Sequence, residues 1–197
     1  MGTLSVGTPI WLHWLRIAKS LTRQARAGAD TAPPEGSPTE VVLESDRKVG
    51  HINDEMYPAM VAIAAVAFAL DGLYDQVRDF APIQFSGRPN RQRRILETLK
   101  VAFSVGKYWE GWLVEFDWLD GLRDPAVHPS HVARPVVSHP SGWGNVPVEY
   151  VEYSADNAEK ALGLLENVLR KCVENPRPAS CEWAEGTGRA TLTELEA

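Results

Sequence analysis

Residues 60–70, MVAIAAVAFAL, form an uninterrupted apolar run built largely of alanine and valine, with no polar face to offer water. A helix that is apolar all round must be buried on every side. The run is about half the ~20 residues needed to cross a bilayer. It therefore predicts a helix at the centre of a bundle, and that placement requires other helices to surround it.

The flanking sequence supplies them. Thr8-Pro9 has the pattern of a helix start, and residues 10–27 carry Trp11, Trp14, Leu15, Ala18 and Leu21 at helical spacing until Gly28. The stretch GADTAPPEGSPTE, residues 28–40, is rich in Pro, Gly and small polar residues and predicts a linker. Residues 1–40 thus form an N-terminal helical arm and linker, the arm packing on the main body or on a neighbouring subunit. The apolar run extends into a helix from Asn53 or Pro58 to Phe80, with Pro82 just beyond. Further helices are expected over 90–106 and 107–124. In the second of these Trp109, Trp112, Leu113, Phe116 and Leu119 share a stripe, and Pro125 forces the end.

Residues 131–153 break the helical pattern. VARPVVS and VPVEYVEY flank the turn-like HPSGWGN and predict a short hairpin or an extended loop. Ser154 caps a last helix to residue 174 that bears Ala158, Ala161, Leu162, Leu165, Leu169 and Cys172 on one face. Residues 175–197 read as a flexible tail in which Trp183 is the one evident anchor. The expected fold is all-α: an antiparallel four-helix bundle over 41–174 with the arm before it and the hairpin inserted.

The formal net charge of −6 argues against a protein that coats nucleic acid non-specifically, though it permits a local basic patch. Cys172 and Cys181 lack metal or redox spacing and read as free thiols of a reducing compartment. The N-terminus has no basic region ahead of an apolar one. A cytoplasmic chain with no membrane partner is expected. His13 and His51 have no partners at metal spacing, and no zinc site, P-loop or nucleotide-binding glycine turn is present, so neither metal nor cofactor is expected.

Chemistry points to LRDPAVHPS. Arg123 falls seven residues after Phe116 and four after Leu119, on the apolar stripe of its helix. A guanidinium there needs a carboxylate, a partner subunit or a ligand phosphate to receive it. A helix break at Pro125 would fold the chain back so that His128 lies beside Arg123. Asp124 could then hydrogen-bond the imidazole and fix its tautomer. The pattern is short, and Arg134 to His139 repeats it in the non-helical stretch, where a structural reading is favoured.

FDWLDGLRDPAVHPS resembles the signature of HEPN-domain proteins, in which a helix ends in Leu-Arg, a polar residue follows and a His comes a few residues on. AMVAIAAVAFALDGLYDQV resembles the family's apolar helix with an acidic residue near its end, here Asp71. SADNAEKALGLLENVLRKC resembles the helix that closes the family's bundle. The likeness covers about residues 53–174. It implies metal-independent RNA cleavage in which the 2′-OH attacks the adjacent phosphate, with His128 as general base or acid and Arg123 stabilising the phosphoryl oxygens. It also implies a homodimer whose two motifs meet across the interface, in a toxin or phage-defence setting with an antitoxin or defence-system partner. One departure is Asp124, where the family commonly has Asn; its charge would repel a phosphate.

Two further features bear on the site. Arg88, Arg91, Arg93 and Arg94 crowd the start of the 90–106 helix, where they oppose the helix dipole. Something else should favour them: an RNA backbone, in which case Arg88, Arg91 and Arg94 are the contacts, or acidic groups of this chain or a partner; an ordinary solvated face is the reading set ahead of RNA contact. Asp71 is expected to pair with Arg123. The alternative to an enzyme is a catalytically silent HEPN-like scaffold, favoured if Asp71 seals Arg123 and His128 avoids solvent.

Overall fold

The computed structural model describes residues 10–31, 41–128, 134–139 and 145–197, and for 41–49 and 51 the backbone alone. The helix start at Thr8-Pro9, residues 32–40 of the expected linker, His51 and most of the HPSGWGN turn lie outside the described residues or side chains. The chain is mostly helical. In order come α1 (Ile10–Asp30), α2 (Val41–Val77), a 3₁₀ turn (Arg78–Phe80), α3 (Arg91–Ala102) and α4 (Tyr108–Val127). The strands β1 (Val136–Ser138) and β2 (Asn145–Pro147) follow, then α5 (Val148–Glu152) and α6 (Ala155–Glu174). The C-terminal residues form a 3₁₀ turn (Pro178–Ser180), α7 (Cys181–Trp183), a π-helical stretch (Ala184–Gly188) and α8 (Arg189–Glu196).

The apolar run lies at the centre of the bundle, though not buried on every side: Val61 is 41% exposed and Met60 and Phe68 are half-buried. Ala59, Ala62, Ile63, Ala65, Val66, Ala67, Ala69, Leu70, Leu73 and Val77 are all buried. By length and composition Ile52–Phe80 would suffice to cross a membrane, but 61% of its apolar window is already covered within the bundle. Small side chains let neighbours approach closely. The expected arm, α1, is in fact a core helix laid antiparallel on α2 and buries Trp11, Leu15, Ala18 and Ala25. Two glycines set this approach. A β-carbon on Gly72 would collide with Trp11, and one on Gly28 would lie 2.5 Å from the Asp54 carbonyl oxygen. That carbonyl is the one that loses its helical donor to Pro58, so the proline and the glycine meet at one close crossing.

α2 begins at Val41, well before Asn53, and passes through Pro58 without ending. Tertiary burial on both sides of Pro58 outweighs a local cost of about 3 kcal/mol. α1 likewise continues past Gly28 to Asp30, because that glycine serves the crossing and not a helix stop. The third helix is shorter than its expected 90–106, running Arg91–Ala102, with Gly106 at positive φ beyond it.

α6 is fastened at its start. Ser154 accepts the Asn157 amide, and the buried Glu55 of α2 accepts the Ala155 amide at 2.8 Å. Arg26 of α1 reaches Asp156 and Glu159 in the same region. β1 and β2 pair antiparallel, with Val137 opposite Val146, so a short hairpin is present. VEYVE is the helix α5, not a strand.

The expected flexible tail is instead folded against the bundle. Ser180 donates to the Ala102 carbonyl at 2.7 Å, Trp183 packs on Phe103 and bonds Gln76, and Leu195 is buried. Gly188 lies against the Trp183 ring, and Glu194 pairs with Arg16. The proline- and glycine-rich composition disguised a segment anchored by one tryptophan. Both cysteines are free thiols; Cys172 is fully buried, which pushes its pKa up.

Gly28→Ala and Gly72→Ala should each lower unfolding free energy by about 1–3 kcal/mol through overpacking. Gly163→Ala, where an added β-carbon meets nothing within 4 Å, should raise it by about 0.5–1 kcal/mol through helix propensity. Urea denaturation of the three variants checks the contrast, and equal effects would show that the α1–α2 approach is not set by these glycines.

Candidate functional site

α4 does not stop before Pro125. It runs through the proline to Val127, and the His128 amide closes the last turn on the Asp124 carbonyl at 2.9 Å. The expected break and fold-back are absent, because Ala126 packs against the core and one lost hydrogen bond is outweighed. The consequence is geometric. Five helical steps put Arg123 and His128 ~140° apart around the axis, whereas Asp124 and His128 are one turn apart on one side.

Arg123 points toward α2. Its guanidinium lies 5.3 Å from the centre of the Phe68 ring, and Phe68 in turn packs on Trp14 of α1 with ring centres 4.9 Å apart. One terminal nitrogen donates to Asp124 at 2.8 Å. The side chain is only 21% exposed, and its buried Nε has no hydrogen-bond partner. Asp124 is 58% exposed. His128 is exposed, and its imidazole makes no hydrogen bond or ion pair with Arg123 or Asp124 among the described residues. The predicted role of Asp124 is therefore corrected: it holds the guanidinium and not the imidazole.

Asp71 is not the partner of Arg123. It pairs with Arg91, whose other nitrogens donate to Asp120 at 2.7 Å and to the Ala67 carbonyl at 2.5 Å. Gln92 also donates to Asp120. Arg91 is thus a brace joining α2, α3 and α4, and not a surface cation free for RNA. Acidic groups of this chain explain why a helix start tolerates it. Arg88 and Arg94 are exposed and make no ion pair among the described residues. Burial, foremost, raises the Asp120 pKa; Arg91 opposes the rise and Asp124 adds to it.

The second Arg-x4-His match has a structural role. Arg134 is clamped by Glu152 at 2.6 Å and Glu149 at 3.5 Å, which fixes α5 against the hairpin, and His139 is buried. Sequence reasoning missed Phe68, Trp14 and Tyr153 as neighbours of the motif. Tyr153 donates from its hydroxyl to the Leu122 carbonyl at 3.0 Å, one residue before Arg123. A signal for Phe68 existed: Tyr57, Val61, Ala64 and Phe68 follow one helical stripe. Tyr57 is 54% exposed and Val61 41%. Ile17 of α1 is 37% exposed as well.

At the other end of α4 a groove of about 320 Å³ separates it from α6, floored by the Trp112–Asn167 hydrogen bond and edged by Tyr108 and Lys160. It is remote from Arg123 and His128 along the helix. No cluster of three metal-ligating side chains occurs among the described residues.

No family model matches the chain, and comparison with curated proteins and with solved structures gave no match either.

Arg91→Ala should cost about 2–4 kcal/mol, since it leaves Asp71 and Asp120 uncompensated. Without Arg91 the folded-state pKa of Asp120 rises further above its unfolded value. The folded form then binds the proton more tightly, and stability falls as pH rises through and above the ordinary carboxylate range. The deficit, measured by urea denaturation, should be larger at pH 8 than at pH 5; a neutral substitution would contradict the brace.

Proposed function

We propose that the chain is a metal-independent endoribonuclease of the HEPN type. The observation that carries this reading is the end of α4, where a mostly buried arginine with an unmet Nε lies two residues before a proline-bearing turn that presents an exposed histidine. The RNA 2′-OH would attack the adjacent phosphorus and expel the 5′-oxygen, leaving a 2′,3′-cyclic phosphate. His128 would move the proton, and Arg123 would hold the phosphoryl oxygens in exchange for Asp124. Cleavage needs a base for the attacking hydroxyl and an acid for the leaving oxygen.

Among the described residues His128 is the histidine at this end of α4, on the other side of the helix from its own arginine. In a homodimer a second copy would supply another imidazole. The exposed apolar side chains Ile17 of α1 and Tyr57 and Val61 of α2 are suited to such a contact.

A specific observation favours the silent scaffold as a second reading. Asp124 already occupies the guanidinium that a phosphate would need. Against it, Asp71 leaves Arg123 alone and His128 is exposed.

Cleavage of a mixed RNA pool in EDTA, assayed with wild type and His128→Ala, separates the readings. Activity in the wild type and its loss in the variant are expected; activity that survives the substitution would falsify the assignment of His128. Asp124→Asn should lower KM about threefold by freeing Arg123, the modest size reflecting an exposed pair. An unchanged or raised KM would mean that Asp124 does not compete with the phosphate.

A further inference from the structure

Pro125 has no N–H, so the Gly121 carbonyl lacks its helical donor and the turn beyond it is held by fewer backbone bonds than the rest of α4. The next carbonyl, that of Leu122, receives a donor from outside the helix: the Tyr153 hydroxyl, at 3.0 Å in a buried setting. The Tyr153 ring is itself in the core. Burial, with Glu152 adding to it, pushes its pKa up to about 12, so the phenol stays a donor at neutral pH.

The block that carries this hydroxyl is rigidly tied. The Tyr153 amide bonds the Glu149 carbonyl at 2.8 Å, and the Asn157 side chain donates to the Val151 and Glu152 carbonyls. Arg134 binds α5 to the hairpin, Tyr150 reaches Asn53 of α2, and Ser154 opens α6 immediately afterwards. A hydroxyl so mounted links the weak end of α4 to three other elements.

We propose that Tyr153 is a positioning residue: its hydroxyl fixes the last turn of α4 and thereby the placement of Arg123 and His128. As a statement about catalysis this rests on the ribonuclease reading. Tyr153→Phe keeps the ring and removes only the donor. In hydrogen–deuterium exchange of the full chain, amides of residues 123–128 should exchange about fivefold to tenfold faster, the effect of one buried hydrogen bond. Amides of residues 59–73 should be unchanged.

In RNA cleavage, kcat should fall by a similar factor while KM holds. Unchanged exchange at 123–128, or exchange accelerated equally throughout the chain, overturns the proposal. A loosened turn with kcat unaltered overturns the positioning role. If the wild-type chain cleaves no RNA, the ribonuclease reading falls, and the exchange result alone then decides whether Tyr153 fixes this turn.

Discussion

The close crossing of α1 on α2 is the constraint on which the rest of the bundle depends. An alanine-rich helix offers little side-chain volume, so it gains packing only if its neighbours come near. Gly28 and Gly72 allow this at the two ends of the α1–α2 contact, against Asp54 and Trp11. The register that results sets Trp14 beside Phe68, and Phe68 is the surface on which Arg123 rests. The candidate site is thus placed by a backbone approach in a pair of helices that contributes none of its proposed acid–base groups.

Polar contacts then fix the angles that burial leaves free. Glu55 receives the first amide of α6, which gives a buried carboxylate a donor and gives a helix start an acceptor. Arg91 does the same for α3 and α4 through Asp71 and Asp120. Such pairs are costly to break and contribute little net stability when whole. Their value here lies in orientation: each joins elements that apolar contacts alone would let rotate.

The all-helical character was legible because Trp11, Leu15 and Ala18, or Trp112, Phe116 and Leu119, repeat at a period that only a helix satisfies. At Pro58, Pro125 and Gly28 local propensity is a preference of a few kcal/mol at most, and tertiary burial exceeds it at each. The composition of the C-terminal segment likewise hides its anchors, since Trp183 and Leu195 are buried within a stretch rich in Pro, Gly and small polar residues. Pairing was illegible for a different reason. Asp71 is equally plausible as a partner for Arg91 or Arg123 along the sequence, and only the register of α2 against α3 and α4 chooses between them. The likeness to HEPN domains rests on the short motif itself, which stands at the end of α4 in a form that sequence alone misplaced.

That displacement changes what the motif must do. A fold-back at Pro125 would have joined Arg123 to His128 within one chain. A continuous helix separates them and leaves Asp124 as the neighbour of both, bonded to the guanidinium through its side chain and to His128 through its carbonyl. A phosphate arriving at Arg123 must displace Asp124, and the displaced carboxylate is one turn from the imidazole, on its side of the helix. On the proposed reading, Asp124 is therefore the group that any phosphate at Arg123 has to exchange with, and the resting chain keeps the guanidinium bonded on its own helix until that exchange occurs.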